Sequence, residues 1–156
     1  MAMGLFRRRS PAPATAAPAS VPPSVEGEPS EELMALAELA LGHAVTSVVP
    51  EGGPLIPFAI IENADGHRAL NRFMDELTAA QQHARDQVRV ASTAVRAAVA
   101  WDGYLTLDGQ RQDAVFVEAS DRGRASIVVA HRYRDVPGAA EPIGGPVMVE
   151  RGGPLL

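Results

Sequence analysis

The side chains best suited to chemistry lie between positions 101 and 133 of this chain. Asp113, His131 and a tyrosine could act together, since a carboxylate that orients an imidazole beside a hydroxyl donor suits general-base chemistry. We therefore consider a small-molecule site or a cofactor-free hydrolase built on Tyr104, Asp113 and His131. The candidate binding surface as a whole comprises Trp101, Asp102, Tyr104, Asp113, His131 and Tyr133. The alternative is structural, with the aromatic residues in a core and the polar residues where a sheet emerges into water.

The composition excludes several other kinds of chemistry. The chain has no cysteine, and all fourteen of its basic residues are arginine. Thiolate nucleophiles, lysine Schiff bases and P-loop lysines are therefore excluded. The four histidines, at positions 43, 67, 83 and 131, do not have the spacing of metal ligands. We expect neither a metal nor a cofactor, and no motif identifies a reaction, which favours a protein that is not an enzyme.

Charge and hydropathy limit the partners. Residues 30–156 carry eleven arginines against seventeen acidic residues. So acidic a body disfavours nucleic acid, because phosphate binding needs a net basic face. No apolar run approaches the length of a transmembrane helix, so we expect no integral membrane association. The lack of cysteine is consistent with a reducing cytoplasm.

Residues 1–29 form a Pro- and Ala-rich segment without hydrophobic periodicity. Such a composition cannot bury enough apolar area to offset chain entropy, so it predicts a disordered tail. Near its start, Gly-Leu-Phe is followed by Arg7, Arg8 and Arg9. This short stretch either touches a partner or an anionic surface, or serves only to solubilise the terminus.

Residues 30–156 indicate a single α+β domain. Its elements follow the order α-β-β-α-β-β-β, which predicts a mainly antiparallel sheet of about five strands with two helices packed on it. Pro57 favours an edge position or a bulge for the first strand, because proline cannot donate to the strand ladder. The predicted elements are a helix capped by Ser30 and ending between Leu41 and Thr46, strands at 55–61 and 67–73, a helix opening at Asp75 or Thr78 and ending near Val90, strands at 95–107, 111–119 and 125–134, and a C-terminal segment rich in glycine and proline.

The turns of the three-stranded meander set which side chains meet. A two-residue turn at Asp108-Gly109 places Trp101 opposite Phe116 and Tyr104 opposite Asp113. A comparable turn at Arg122 places Phe116 opposite Ile127 and Gln112 opposite His131. Asp102-Gly103 interrupts the apolar pattern of its strand and suggests a β-bulge.

Three segments, at 57–62, 101–107 and 117–119, resemble small bacterial proteins to which no function has been assigned. The element order is also similar to that of roadblock and longin-type domains, which dimerise and act as scaffolds or regulators of small GTPases. That resemblance implies a fold and no activity. We expect a non-enzymatic cytoplasmic interaction or adaptor module that binds a protein partner and forms a homodimer. The alternative is the small-molecule binder or hydrolase described above.

Overall fold

A computed structural model describes residues 28–156. They fold as two helices and one six-stranded antiparallel sheet, in which the strands follow the order β2-β1-β3-β4-β5-β6. The α+β class is confirmed, and the strand count is six rather than five. The predicted disordered tail lies outside the described residues up to residue 27. The elements are α1 (Glu31–Val48), β1 (Phe58–Asn63), β2 (Arg68–Arg72), α2 (Leu77–Val90), β3 (Ala94–Leu107), β4 (Gln110–Asp121), β5 (Ser126–Val136) and β6 (Ala139–Gly152).

Helix α1 begins where its sequence predicts. The Ser30 hydroxyl accepts a hydrogen bond from the Leu33 amide at 3.0 Å, which satisfies one of the free N–H groups of the first turn. The helix extends beyond the predicted end to Val48, which is fully buried. Gly42 does not end it, and Pro50 follows two residues after the last helical position.

Strand β1 lies inside the sheet, between β2 and β3. The predicted edge position is wrong because Pro57 precedes the strand and needs no place in its ladder. The Pro57 carbonyl instead accepts a hydrogen bond from Phe73 at 2.9 Å. The predicted hairpin to the returning strand is confirmed, with Ile60 opposite Leu70.

Helix α2 starts at Leu77, with Glu76 rather than Asp75 or Thr78 at the N-cap position, and ends at Val90 as expected. Its buried residues recur every four positions, at Ala80, Ala84 and Val88. This narrow stripe of small side chains lets the helix pack on the sheet face that α1 leaves open.

The β3–β4 hairpin has the predicted register. Trp101 pairs with Phe116, and Tyr104 pairs with Asp113. Asp108 and Gly109 both adopt positive φ, at 51° and 77°, which is the geometry of a two-residue hairpin turn. Pairing continues without a shift through position 102, so the predicted bulge at Asp102-Gly103 is absent.

The predicted register of β4 with β5 is wrong. Phe116 pairs with Ala130, and His131 pairs with Val115 rather than with Gln112. The reason is the connection, which spans residues 122–125 and is longer than a two-residue turn. Side chains alternate between the two faces of a sheet. An offset of three positions therefore puts His131 on the same face as Val115, whereas the predicted register puts it on the face of Gln112.

Strand β6 was not predicted. Its sequence contains Pro142, Gly144, Gly145 and Pro146, and most of its side chains are exposed, so it lacks the alternation that marks a half-buried strand. Its pairing with β5 shifts in register near these residues and again near Met148. Bulges of this kind are common in edge strands.

The two helices cover opposite faces of the sheet. Helix α1 packs on β3, β4 and β5 around Phe58, Val115 and Ile127, all buried. Helix α2 packs on β1 and β3, where Leu155 and Leu156 of the C-terminal segment also contact the sheet. Neither helix among the described residues combines the length and apolar character that a membrane span requires.

Candidate functional site

A cleft opens at the end of the sheet where β3 and β5 finish and β4 begins. The loop that follows α1 and the first residue of α2 complete its wall. Its volume is about 270 Å³. We call it the acidic cleft, and its lining consists of Gly53, Pro54, Leu77, Asp102, Gly103, Tyr104, Asp113, Tyr133 and Asp135.

The base of the cleft is a hydrogen-bonded pair, Asp102 and Tyr133. The Tyr133 hydroxyl donates to the Asp102 carboxylate, at 3.0 Å from Oδ1 and 2.9 Å from Oδ2. The Leu55 amide also donates to Oδ2, at 2.6 Å. Three elements therefore meet at one carboxylate: strand β3, strand β5 and the loop after α1.

Burial and charge shift the pKa values of this pair. Desolvation by burial raises the pKa of Asp102, an effect that the hydrogen bonds from Leu55 and Tyr133 only partly offset and that the nearby charge of Asp113 reinforces. Burial, the hydrogen bond to Asp102 and the negative charges of Asp113 and Asp135 raise the pKa of Tyr133 far above its ordinary value. Tyr133 is therefore a protonated donor at any physiological pH.

Two glycines allow this close packing. A Cβ at Gly53 would lie 2.5 Å from the Tyr133 hydroxyl and 3.0 Å from Asp102 Oδ2. A Cβ at Gly103 would lie 3.1 Å from the ring of Phe116 on the other face of the hairpin. Gly103 thus explains the break in the apolar pattern of β3, since it makes room for a ring rather than a bulge.

Asp113 and Asp135 bring two more carboxylates to the cleft. Neither forms an ion pair with an arginine or histidine of the described residues. Three carboxylates therefore share this cleft, and the two arginines that line the overlapping depression are engaged elsewhere, Arg111 over the Tyr104 ring and Arg134 with Glu141. Their mutual repulsion would be relieved by a cation bound among them.

The rim of the cleft is aromatic and apolar. Tyr104 is 61% exposed, and the guanidinium carbon of Arg111 lies 3.8 Å from its ring centroid. Leu77 is 43% exposed on the opposite side. Exposed apolar side chains next to unpaired charges are typical of surfaces that bind another molecule.

A second depression adjoins the acidic cleft across Pro54. We call it the Met74 groove; it has a volume of about 480 Å³ and is lined by Thr46, Ser47, Glu51, Pro54, Leu55, Ile56, Phe58, Arg72 and Met74. Met74 is 77% exposed and Ile56 is 39% exposed. Together the cleft and the groove offer negative charge beside apolar surface.

The structure brings four of the six sequence-predicted residues together in this cleft: Asp102, Tyr104, Asp113 and Tyr133. Trp101 lies on the opposite face of the sheet, where its ring stacks on Phe116 with centroids 5.6 Å apart. The Arg85 guanidinium lies over the Trp101 ring, 5.0 Å from its centroid. Trp101 is therefore packed between an aromatic ring and a guanidinium group, away from the cleft.

His131 lies apart from the cleft lining. Its Nε2 atom is 3.1 Å from the carbonyl oxygen of Gly144, on the neighbouring strand β6. The acidic cleft therefore contains carboxylates and phenols but no imidazole. Among residues 28–156, no group of three or more His, Asp or Glu side chains is arranged to hold a metal ion.

A second charged cluster lies at the other end of the sheet. The buried Glu62 carboxylate pairs with Arg68 and with Arg96, and Arg96 also pairs with Asp121 at 3.0 Å. Asp121 in turn accepts a hydrogen bond from Ser30 at 2.7 Å. Burial would raise the pKa of Glu62, but the bonds and charges of the two arginines lower it below its ordinary value. Every charge in this cluster has a partner, so its role is structural.

The sequence missed four residues that line the cleft: Gly53, Pro54, Leu77 and Asp135. Gly53 and Leu77 reach it through the tertiary positions of a loop and a helix terminus, which no periodicity indicates. Asp135 follows Tyr133 by two positions on β5, so strand alternation alone could have placed it beside Tyr133. Comparison with known protein families, curated proteins and solved structures found no match to this chain.

Proposed function

We propose that this domain is a non-enzymatic binding module, whose acidic cleft and Met74 groove bind a segment of a protein partner that carries both basic and apolar side chains. The proposal is carried by two carboxylates, Asp113 and Asp135, that form no ion pair among the described residues. They lie beside the exposed side chains of Tyr104 and Leu77. A guanidinium or ammonium group suits the carboxylates, and an apolar side chain suits the rim.

The chemistry of the cleft supports binding more than catalysis. Asp102 already accepts hydrogen bonds from Tyr133 and Leu55, and Tyr133 holds its proton firmly, which favours binding over proton transfer at this pair. The hydrolase hypothesis also needs His131, whose ring contacts the Gly144 carbonyl instead. A small amine is the ligand that the alternative hypothesis would place in the same cleft.

The proposal is tested with two synthetic peptides and the full chain. One peptide has two leucines followed by three arginines, and its counterpart has three glutamates in place of the arginines. We expect isothermal titration calorimetry to detect only the arginine peptide, with an apparent dissociation constant between about 100 μM and 1 mM and marked weakening at high salt.

Substitutions at the cleft give the control. The double variant Asp113→Asn, Asp135→Asn should weaken the arginine peptide about two- to tenfold, since two partly screened charge pairs are lost. Asp65→Asn makes the same kind of change in the β1–β2 turn, at the far end of the sheet, and should leave the affinity unchanged. Equal binding of both peptides, or equal affinity of both variants, would contradict the proposal. Tight binding of a free amine without any peptide requirement would favour the small-molecule alternative.

Self-association is a further component of the proposal. An apolar groove of about 270 Å³ runs between α1 and the edge strand β6, lined in part by Met34, Leu41 and Met148. Met148 is 53% exposed beside an unpaired strand edge, which suits a second copy of the chain. We propose a homodimer in the cytoplasm, a location that the lack of cysteine supports. Light scattering that shows a monomer at all concentrations would exclude the dimer.

A further inference from the structure

The acidic cleft complements a segment of this same chain. Leu5 and Phe6 are followed directly by Arg7, Arg8 and Arg9, so two apolar side chains precede three guanidinium groups. No other position in the chain has three consecutive basic residues. We infer that residues 5–9 occupy the acidic cleft and the Met74 groove of their own molecule and compete with the partner for them. This inference rests on the proposed function, since it names an occupant of the same site.

Charge complementarity is the first argument. Asp102, Asp113 and Asp135 line the cleft, and the nearby arginines contact other groups: Arg111 lies over the Tyr104 ring and Arg134 pairs with Glu141. The domain from residue 30 onward has an excess of acidic over basic residues, whereas residues 1–29 have an excess of basic ones. Attraction between the two parts therefore favours an intramolecular contact, and it is strongest where the carboxylates lack partners.

Apolar complementarity is the second argument. Met74, Leu77 and Ile56 are among the most exposed large apolar side chains of the described residues, and all three border the cleft or the adjoining groove. Leu5 and Phe6 supply apolar side chains directly next to the arginines. The segment carries arginines at one end and apolar residues at the other. The arginines would therefore meet the acidic cleft while the apolar residues meet the adjoining Met74 groove.

Reach is the third argument. Helix α1 starts at the end of the sheet opposite the cleft, where Ser30 bonds to Asp121. The helix has eighteen residues and finishes at Val48, just before the loop that walls the cleft. At 1.5 Å per residue it spans about 27 Å. Residues 10–29 join the arginines to Ser30, and twenty residues can span at most about 66 Å when fully extended. The connecting segment is therefore long enough for residues 5–9 to reach the cleft.

Tethering makes a weak contact effective. A short flexible linker gives an effective concentration in the millimolar range. If the isolated contact has a dissociation constant on the order of 100 μM, the tethered segment occupies the cleft about ten times as often as it leaves it open. An external peptide must then displace the segment, so its apparent affinity falls about tenfold.

The test uses full-length proteins and the leucine–arginine peptide as the probe. A disabled variant carries Phe6→Ser, Arg7→Gln and Arg8→Gln. We expect it to bind the probe about tenfold more tightly than the unmodified chain, and we expect the same ratio at low and high protein concentration. Adding Asp113→Asn and Asp135→Asn to the disabled variant should remove the gain.

A matched control variant also replaces one apolar residue with serine and two arginines with glutamine, but at other positions. Val90→Ser, Arg89→Gln and Arg124→Gln remove one exposed apolar side chain and two exposed arginines at the opposite end of the sheet. This control should bind the probe as weakly as the unmodified chain. Equal affinity of the disabled variant and the unmodified chain would overturn the self-occupied cleft while leaving the proposed function intact. A ratio that grows with protein concentration would overturn it too, because the segment would then come from a second copy. No binding to any protein would overturn the proposed function itself.

Discussion

Asp102 is the residue on which the cleft depends, because it is a partly buried carboxylate that joins three separate segments. It accepts hydrogen bonds from the Leu55 amide and the Tyr133 hydroxyl. If either donor is removed, the carboxylate loses a hydrogen bond that water cannot fully replace at this partly buried position. A buried acceptor without its donor lowers the stability of the fold. The residue-scale predictions below concern these contacts.

Replacing Tyr133 with phenylalanine should raise the pKa of Asp102 further, because a hydrogen bond that lowers this pKa is lost. Above the pKa of Asp102 the variant should be less stable by about 1.5–3 kcal/mol, the usual range for a hydrogen bond to a charged group. The difference should narrow as the pH falls through that pKa, since the carboxylate then becomes neutral in both proteins. Urea denaturation at several pH values measures this difference in the free energy of unfolding. A difference that does not vary with pH would contradict a hydrogen bond from Tyr133 to the ionised Asp102.

Replacing Gly53 with alanine should push the loop away from Tyr133. The added methyl group would lie 2.5 Å from the Tyr133 hydroxyl, and Tyr133 is too buried to move aside freely. Overpacking of this kind costs about 1–3 kcal/mol, and here it should also weaken the arginine peptide. Gly145→Ala is the matched control, since nothing lies within 4 Å of its Cβ position. Thermal unfolding and the peptide titration check both expectations, which fail if the two variants behave alike.

Among the elements, the first hairpin of the meander was predictable to the residue and the second was not. Asp108-Gly109 allows only a tight turn, so Trp101 opposite Phe116 followed from the sequence. The connection at residues 122–125 has no such signature, and an error of three positions misplaced His131. The burial stripe of α1 was also predictable, because its apolar residues repeat with helical spacing.

Strand β6 and the cleft wall show where local patterns stop being informative. Pro142 and Pro146 lower the strand propensity of β6, which forms because β5 offers it a partner rather than because its own sequence favours extension. The loop that carries Gly53 and the start of α2 at Leu77 likewise take their positions from tertiary packing. Four of the six predicted surface residues nevertheless lie in one cleft, and strand alternation links two of them, Asp102 and Tyr104.

The cluster of Glu62 with Arg68 and Arg96 ties together strands β1, β2 and β3, and through Asp121 it reaches β4. Arg96→Gln should destabilise the protein by about 3 kcal/mol near neutral pH, because it removes one partner of a buried charge. The loss should shrink as the pH falls through the lowered pKa of Glu62, below which the carboxylate needs no partner. Arg89→Gln breaks an exposed pair with Asp86 and should cost less than about 0.5 kcal/mol. Guanidinium denaturation gives the free energy of unfolding of both variants. Equal losses of stability in Arg96→Gln and Arg89→Gln would contradict a structural role for the cluster.

On the scale of the whole molecule, the two ends of the sheet differ in how their acidic side chains are paired. At the end where α1 begins, the acidic side chains of Glu62 and Asp121 are paired with arginines. At the end where α1 finishes, Asp113 and Asp135 lack such partners and face a cleft with exposed apolar walls. The proposed binding is therefore assigned to the end that holds the unpaired carboxylates.

The most direct measurement is a map of where the arginine peptide binds, made by two-dimensional amide NMR of the full chain. We predict that the largest chemical-shift changes fall at Gly53, Leu77, Gly103, Tyr104 and Asp135, which line the acidic cleft from four different segments. The amides of Asp65 and Arg96, at the far end of the sheet, should not shift. Changes centred on the apolar groove between α1 and β6, or spread evenly over the surface, would contradict the account.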